Sequence, residues 1–596
     1  MDRLRRPESF DDVRAEGLFR GTTAPQHSGV ILQSQGIVFT QGLPGLLGAG
    51  GFRPDKIPTK EDVLEAGARI FDRSSCADHV DVFVSHCWGS KRWAKYLALC
   101  LYLNLAPAVV FSLTIWVVAS TVILTSARDI GASHRGSLLL LLVLVYFPTA
   151  VFFFVFFMGH HLVHRLWPTS LWVDRVCVSQ TDDELKRQQI QALPVFVARS
   201  SSMLVLWDDS YFQRLWCQLE LATFAKYGGA PKVHFLPLWM APWLISAIVV
   251  DLCVATIWFV IYYWVTPGTS CDVCAALVPQ FVLESPAGPF FTGPVGANAA
   301  GMMALGLLAS APWTYSCKKK LRNHALMLEQ MASFDCREAQ CTLDADRTLV
   351  ELHVRQLFGP TDKEEAATSP FEVAPAASHR SEPSSARSIA SAVSIPSVTN
   401  FACSDARSLD AFNAYIRGPL QAAVVENVGG ELHVSYSMCL LAALPMIMFS
   451  VADIVQYCGT SVDAAEFASC AVPAYIVWIA SMFLVLPITY PVFLRMLKCA
   501  LAVRWEWLQL VLAVISGTLS FCYMAYLTAV LFRFAFLWQE PAVYWAPFLI
   551  GFLAFLLWQI RCLFRSSGGS GISPTPAPSL ESGSDATYRQ LHVEDD

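Results

Sequence analysis

Five side chains with binding chemistry stand at the ends of strand-like runs. The run HVDVFVSHCW carries Ser85, His86 and Trp88 at its end, SLWVD ends in Asp174, and SSSMLVLW ends in Trp207. In an open parallel sheet, ligands bind at the carboxyl ends of the strands, where the strand order reverses. A hydroxyl, an imidazole and a carboxylate suit hydrogen bonds to a polar ligand, and either indole is able to stack on a base ring. These five residues are therefore the candidate binding site.

A sheet must position these side chains, and the surrounding sequence predicts one. The runs VDVFVS, SLWVDRVCV, SMLVLW and KVHFLPL are β-branched and apolar, which predicts four strands. The stretches between them predict helices: SKRWAKYLALCLYLN, TDDELKRQQIQALPVFVARS with its acidic first turn, and YFQRLWCQLELATFAKYGG, which closes on Gly228. This β-α-β-α-β-α-β order predicts a parallel α/β sheet of the flavodoxin-like kind. Neighbours on a strand point to opposite faces, so Ser85 and His86 are not a catalytic pair.

The composition predicts that most of the chain lies in a membrane. Only 15% of the 596 residues are charged, whereas a soluble domain has about 25%. The expected fold class is therefore an α-helical polytopic membrane protein with a cytoplasmic α/β domain. Runs of about 20 apolar residues predict about eight transmembrane helices, at 105–126, 137–159, 238–264, 290–314, 437–457, 471–493, 507–531 and 542–561.

The first two predicted spans fall inside the α/β domain. A hairpin of two spans returns the chain to the same side, and each doubling of a connection costs only about 0.6 kcal/mol in closure entropy, so the domain is able to close around the insertion. The predicted chain begins with a partly disordered cytoplasmic segment (1–78). The two parts of the α/β domain (79–104 and 165–237) are then each followed by a membrane hairpin (105–160 and 238–314). Two cytoplasmic helical segments (315–359 and 409–436) on either side of a disordered Ser- and Pro-rich linker (360–408) precede four further spans (437–562) and a disordered cytoplasmic tail (563–596).

Charge distribution predicts the orientation and the partners. Lys and Arg cluster on one side of the predicted spans, as in CKKKLRNH after the fourth, which places both termini in the cytoplasm. The sequence does not distinguish a plasma membrane from an endomembrane. A net charge of −6 and the lack of a basic face argue against a nucleic-acid partner. Membrane lipids are the expected partners.

The predicted domain resembles the Toll/interleukin-1 receptor (TIR) family. DVFVSH is similar to the first-strand box of TIR domains, LWVD to their second strand, and SSSMLVLWDDSYFQRLWCQLEL to their third strand and following helix, with the family's Tyr, Trp-Cys and Glu-Leu. The resemblance covers residues 79–104 and 165–237, and it is closest to protist and fungal variants. The last strands and helices of the family are not recognisable, because the third predicted span begins where they would follow.

The resemblance implies a role for Glu220. In the TIR domains that cleave NAD, a glutamate on the helix after the third strand faces the cleft, and Glu220 matches it. A carboxylate there stabilises the positive charge that develops on the ribose as the nicotinamide bond breaks. NAD would be the substrate, with no further cofactor, and self-association with other TIR-like domains is the expected mode of signalling.

Two departures from the family pattern weigh against activity. Cys87 and Trp88 stand where some NAD-cleaving members have basic residues, and CVSQTDDELKR lacks the glycine typical of many relatives.

Less specific interpretations remain open. Glu220 is a solvated helix residue if Trp216, Cys217, Leu219 and Leu221 only pack the helix onto the sheet. In that case the domain is an inactive scaffold, or it regulates a transporter or channel formed by the spans. Two groups have metal-ligand spacing, His160 with His164 and Cys336 with Cys341, but neither has a third ligand. No metal site is therefore predicted. Asp251 lies inside the third predicted span, where a carboxylate suggests a functional site or a polar partner on a neighbouring helix.

Overall fold

The computed structural model describes thirteen parts of the chain. They are residues 10–23, 68, 71–87, 90–127, 130, 133–162, 168–179, 181–260, 294–340, 344–358, 405–458, 463–537 and 540–565. The Ser- and Pro-rich linker, the C-terminal tail, and Cys271 and Cys274 lie outside these residues.

The described residues include six strands and nineteen α-helices. The strands are β1 (Arg20–Thr23), β2 (Ser75–Cys76), β3 (Val80–His86), β4 (Ser170–Trp172), β5 (Ser200–Trp207) and β6 (Val233–Pro237). The helices of the first half are α1 (Phe10–Ala15), α2 (Arg92–Ser126), α3 (His134–Leu141), α4 (Phe147–Leu162), α5 (Asp174–Cys177), α6 (Asp183–Gln191), α7 (Leu193–Ala198), α8 (Leu215–Tyr227) and α9 (Met240–Val260). Those of the second half are α10 (Pro294–Ala332), α11 (Asp344–Phe358), α12 (Asp405–Tyr415), α13 (Gln421–Val428), α14 (Tyr436–Ala442), α15 (Leu444–Cys458), α16 (Ala464–Ala480), α17 (Leu486–Leu501), α18 (Glu506–Phe536) and α19 (Ala542–Phe564).

The sheet is mixed, with the order β2-β1-β4-β3-β5-β6. The four predicted strands, β3 to β6, are parallel to one another, whereas β1 and β2 join antiparallel at one edge. An entirely parallel sheet was therefore the wrong expectation, because the N-terminal segment adds two short strands that have no clear alternating pattern. The strand order reverses at β3, since the chain moves from β3 to β4 on one side and then to β5 on the other. The carboxyl ends of β3 and β5 thus meet at the switch point of the sheet.

The parallel strands form the centre of the hydrophobic core. Buried apolar runs fill β3 and β5, as expected for strands covered on both faces. Phe83 of β3 stacks on Trp172 of β4 with ring centroids 4.4 Å apart. The predicted strand SLWVDRVCV is shorter than expected: it ends at Trp172, and the chain then forms the one-turn helix α5. This early end places Asp174 directly at the edge of the sheet.

The helix that follows β3 continues into the first predicted span without a break. Helix α2 has 35 residues, about 52 Å at 1.5 Å per residue, which exceeds the roughly 30 Å hydrocarbon core of a bilayer. Its first turns therefore stand beside the sheet, where Tyr96 and Ala98 are buried. The second predicted span, α3 and α4 joined by a π-turn over Leu142–Tyr146, packs along α2. The soluble sheet and the membrane hairpin are thus connected by one rigid helix.

Among the described residues, six helices are long and apolar enough to span a membrane, and a seventh is counted if the bent pair α14 and α15 is one span. The sequence predicted about eight. The remaining predicted span, 290–314, overlaps α10, and its first residues lie outside the described part of the chain. From residue 306 onward α10 packs against α18, where Ser310 approaches Gly517 and Gly306 approaches Phe521. The protein is therefore mostly helical, with a bundle of membrane-span-capable helices and a small sheet.

Helices from the second half of the chain cover the sheet domain, and we call α11, α12 and α13 the covering helices. The backbone of Gln340 bonds Gln213 and Leu215, at the start of α8, and α11 packs along α8. The ring of Phe334 lies edge-on to Phe212 and to Phe412, with centroids 5.7 Å and 5.6 Å apart. Helices from later in the chain therefore pack against the sheet domain, which the sequence did not predict.

Candidate functional site

Three side chains form a hydrogen-bonded cluster at the switch point, which we call the Glu220 cluster: Ser85, Tyr211 and Glu220. The Ser85 hydroxyl donates to Oε2 of Glu220 at 2.5 Å and shares a hydrogen bond with the Tyr211 hydroxyl at 2.8 Å. Ser85 and Tyr211 are fully buried, and Glu220 is partly exposed. The cluster joins the end of β3 to the helix after β5, as a site at this edge requires.

Local sequence explains how Glu220 reaches Ser85. Cys217, Leu219 and Leu221 are buried between α8 and its neighbours, which fixes the rotation of the helix. Tyr211 sits in the 3-10 turn Tyr211–Gln213 that joins β5 to α8. The packing role that the sequence allowed for these apolar residues is therefore real, and it is the same packing that directs Glu220 toward β3.

The Glu220 carboxyl is held in its neutral form over most of the physiological range. Burial raises the pKa of Glu220 to about 8, the nearby Asp174 charge acts in the same direction, and the Ser85 hydrogen bond opposes both. A carboxyl group with a pKa close to neutral is suited to exchange protons. Burial also raises the pKa of the Cys217 thiol well above its usual value, so Cys217 is not a thiolate nucleophile.

His86 and Asp174 form a second pair beside this cluster. His86 Nε2 lies 3.9 Å from Asp174 Oδ1, with the His86 side chain buried and that of Asp174 22% exposed. This distance permits an ion pair when the imidazole is protonated. Since Asp174 retains access to solvent and also raises the Glu220 pKa, the two carboxyl groups belong to one electrostatic site.

A third group of polar side chains surrounds Cys87 at the end of β3. Asp208, which follows β5, accepts hydrogen bonds from Ser90 at 2.5 Å and from Ser210 at 2.9 Å. The buried ammonium of Lys95 donates to the Cys87 carbonyl at 3.1 Å. A basic side chain from the first turn of α2 therefore lies beside the end of β3.

The two predicted stacking residues have different outcomes. Trp207 is only 1% exposed, so its ring is part of the sheet core and presents no face to a ligand in this conformation. Trp88 lies outside the described residues. The structure therefore brings Ser85, His86, Asp174 and Glu220 together at one edge, and stacking by either tryptophan stays a prediction.

Sequence reasoning did not assign roles to Tyr211, Lys95 or the Ser90–Asp208 contact. Tyr211 had a signal, because it is the tyrosine of the motif that precedes Trp216 and Cys217. Nothing in the sequence pairs it with Ser85, which is 126 residues away. Lys95 lies in the run of basic residues that precedes the first predicted span, which suggested only a role in membrane topology. Within the described part of the chain, no group of three or more His, Cys, Asp or Glu residues is arranged to hold a metal ion.

Comparisons of the chain with protein-family models, with curated proteins and with solved structures found no match. The function is therefore argued from the geometry of this site and from the sequence resemblance.

Proposed function

We propose that the chain is a membrane-anchored TIR-like signalling protein whose cytoplasmic domain acts by self-association and cleaves NAD through Glu220. The observation that carries the proposal is the hydrogen bond between Glu220 and Ser85 at the carboxyl edge of the parallel strands. The proposal also draws on the motifs DVFVSH and YFQRLWCQLEL.

The strand order supports the choice of fold family. Numbered among themselves, the four parallel strands have the order 2-1-3-4, which is the beginning of the flavodoxin-like order 2-1-3-4-5. In such sheets a ligand binds at the edge where β3 and β5 end here. Glu220, Ser85 and Asp174 all lie at that edge, and Asp174, whose side chain is 22% exposed, gives the site contact with solvent.

The chemistry of nicotinamide release explains why one carboxylate suffices. The bond between ribose and nicotinamide breaks with the electron pair leaving on the pyridine nitrogen, which becomes neutral. Positive charge then develops on the ribose, and water supplies the hydroxyl that replaces nicotinamide. A carboxylate stabilises this charge without acting as a proton donor. In this proposal His86 and Asp174 hold the ribose hydroxyls through hydrogen bonds.

The raised pKa of Glu220 sets the pH dependence of this reaction. Only the ionised carboxylate stabilises positive charge, so kcat/KM should rise as pH approaches and passes about 8. The cationic nicotinamide ring of NAD favours the ionised form once it is bound, so kcat should level off at lower pH than kcat/KM.

Attachment of the domain to the membrane supports the proposed self-association. The sheet domain connects directly to α2 and to α9, and it is covered by helices that follow α10. These attachments confine encounters between copies to the plane of the bilayer, which raises their effective concentration.

The test is nicotinamide release from NAD by the full chain, reconstituted in vesicles at high density. Wild type should release nicotinamide, and Glu220→Gln should reduce kcat at least a hundredfold with little change in KM, since the lost interaction belongs to the transition state. Glu184→Gln is the matched control, because Glu184 is an exposed glutamate of the same domain, paired with Arg187.

Two outcomes would contradict the proposed reaction. Wild type that releases no nicotinamide at high density has no NAD-cleaving activity, and fluorescence energy transfer between labelled copies then tests self-association by itself. Release that persists in Glu220→Gln, at the level of Glu184→Gln, places the reaction at another site.

A further inference from the structure

A small, mostly apolar cavity with a few polar groups in its wall lies within the helical bundle, away from the sheet domain. It is lined by Asp251 of α9, Trp313 of α10, Ala443 between α14 and α15, and Thr489 and Tyr490 of α17. Two methionines and several apolar side chains complete the wall. The helices that meet here come from both halves of the chain, so the cavity is central to the bundle.

The polar groups of this cavity lack partners. The hydroxyls of Thr489 and Tyr490 and the indole N–H of Trp313 are buried, and each is without a hydrogen-bond partner among the described residues. Asp251 is 7% exposed, and in the described part of the chain no hydrogen bond or ion pair satisfies its carboxylate. Unsatisfied polar groups cost about 1–3 kcal/mol each, and buried groups of this kind are normally paired. Three of these side chains, Asp251, Thr489 and Tyr490, bring oxygen atoms to one space, which indicates a guest.

The backbone is also irregular at the cavity. Helices α14 and α15 meet at a bend of 55°, where Ala443 lines the cavity and Pro445 has no N–H to continue the helical ladder. A π-turn over Ser481–Val485 directly precedes α17. Interrupted helices and π-turns in membrane bundles are typical of binding sites, because they free backbone carbonyls and redirect side chains.

A second carboxylate in the bundle provides the contrast. Asp453 of α15 accepts a hydrogen bond from the indole of Trp478 at 3.0 Å, so the fold itself satisfies it. Asp251 has no such donor. A carboxylate enclosed in a membrane bundle is costly unless a positive charge accompanies it.

Size and donor chemistry limit the guest. The cavity offers about 20 Å³ to the centres of water-sized guests, and roughly 10–15 Å³ is enough for one water molecule. A guest of this size is a water molecule or a small ion, not an organic molecule, and the carboxylate of Asp251 favours a cation. The available donors are one carboxylate and two hydroxyl oxygens, and divalent cations generally take more carboxylates or retain several waters.

We propose that this cavity is a binding site for one small monovalent metal cation, held by the carboxylate of Asp251 and the hydroxyl oxygens of Thr489 and Tyr490. The proposal is independent of NAD cleavage. It adds an ion-binding site to the membrane bundle, and ion occupancy would stabilise the junction of α9, α14, α15 and α17.

The experiment uses the full chain in lipid nanodiscs at pH 8 and constant ionic strength. Na⁺ is exchanged against N-methyl-D-glucamine, which is too large for the cavity, and K⁺ is compared in parallel. Na⁺ or K⁺ should raise the Tm of wild type in a saturable manner, because a ligand that binds only the folded state stabilises it. Binding of radioactive Na⁺ gives the affinity directly.

Variants locate the site. Asp251→Asn should abolish both the Tm shift and Na⁺ binding, whereas Asp453→Asn, the matched control, should retain both. Tyr490→Phe and Thr489→Val each remove one donor oxygen and should weaken affinity about tenfold, which corresponds to about 1.4 kcal/mol. These two variants carry the test if Asp251→Asn does not fold.

The proposal is overturned if neither Na⁺ nor K⁺ binds wild type or raises its Tm. It is also overturned if Asp251→Asn binds Na⁺ as wild type does, or if the Asp453 variant loses binding to the same extent. The NAD assay does not enter this test, so the two proposals succeed or fail separately.

Discussion

Glu220 is a carboxyl group whose protonation the fold controls. Its position, inferred from a sequence motif, suggested a carboxylate that is ionised at neutral pH. Burial against the sheet instead raises its pKa to about 8, and the Ser85 hydroxyl is the one contact that favours ionisation. Any chemistry at this edge therefore depends on a balance between burial and one hydrogen bond, and substitutions at either residue should reveal it.

Glu220→Gln should change how stability depends on pH. The folded pKa of about 8 exceeds the usual 4.5, so the folded state holds the proton more tightly, and wild type loses stability as pH rises from 4.5 to 8. Glutamine resembles the protonated acid and does not titrate. The Tm values of variant and wild type should be similar at pH 5, and the variant should be several degrees more stable at pH 9. A Tm difference between Glu220→Gln and wild type that does not vary with pH would contradict this prediction. The same pH-dependent difference in Glu184→Gln would contradict it as well.

Ser85→Ala should destabilise the domain and raise the Glu220 pKa further. The substitution leaves the Tyr211 hydroxyl and the Glu220 carboxyl without their shared partner, at a cost of about 1–3 kcal/mol. If the domain cleaves NAD, the pH profile of kcat/KM should move to higher pH. Ser201→Ala, at an exposed position at the start of β5, is the control and should leave the profile in place.

At the scale of elements, single helices join regions that the sequence separates. Helix α2 is both the first helix of the sheet domain and the first span, and α10 runs from the bundle to the edge of that domain, where Gln330 donates to the Asp209 carbonyl at 2.7 Å. Each of these helices therefore connects the bundle physically to the sheet domain that carries the Glu220 cluster. The contact between Phe334, Phe212 and Phe412 holds the covering helices in place.

Phe334→Ala should separate the covering helices from the sheet domain. Phe334 is 4% exposed, and truncation of a buried phenylalanine costs about 3–5 kcal/mol. Limited proteolysis should then cut between α11 and α12 faster than in wild type, and hydrogen exchange in α8 should increase. Phe555→Ala, in the exposed helix α19, is the control. Unchanged exchange in α8 would show that the covering helices do not stabilise it.

The connection between α15 and α16 contains a disulfide bond between Cys458 and Cys470, 12 residues apart. Both cysteines lie between the fifth and sixth predicted spans, where the charge distribution predicts a non-cytoplasmic loop, and the sequence alone does not give their pairing. A closed loop of this length contributes about 3 kcal/mol, so Cys470→Ser should lower the Tm. Alkylation without reductant should leave both cysteines unmodified in wild type, while the free, exposed thiol of Cys499 reacts. Free alkylation of Cys458 would indicate a reducing compartment.

At the scale of the whole molecule, one sheet domain is assembled from segments that lie far apart in the chain, with membrane-span-capable helices between them. The N-terminal strands, the pair β3 and α2, the stretch from β4 to β6, and the covering helices all meet at one sheet. These segments meet at one sheet only if they all lie on the same side of the membrane. The number of crossings between any two consecutive segments must therefore be even. This favours a crossing by α10, and hence eight crossings in total.

The topology predicts that a tag placed next to Ser388 is accessible only from the cytoplasm. Ser388 follows the covering helix α11 in sequence, in the linker outside the described residues, and the basic residues cluster on that side. A tag inserted between Cys458 and Cys470 should be accessible only from the opposite side. Protease protection in sealed vesicles measures both, and access to the Ser388 tag from outside would contradict the eight-crossing arrangement.

The sequence by itself determined the membrane class, the four parallel strands, and the candidate residues at their ends. These features depend on local composition and periodicity, which act within a few residues of the chain. Only the tertiary structure decided that Ser85 and Tyr211 contact Glu220, that Trp207 is buried, that two N-terminal strands extend the sheet, and that Asp251 lines a cavity without a partner. Each of these depends on contacts between residues far apart in the chain, and burial at those contacts sets the protonation of Glu220. Spacing along the chain does not encode which distant side chains meet, because packing of the whole core selects them.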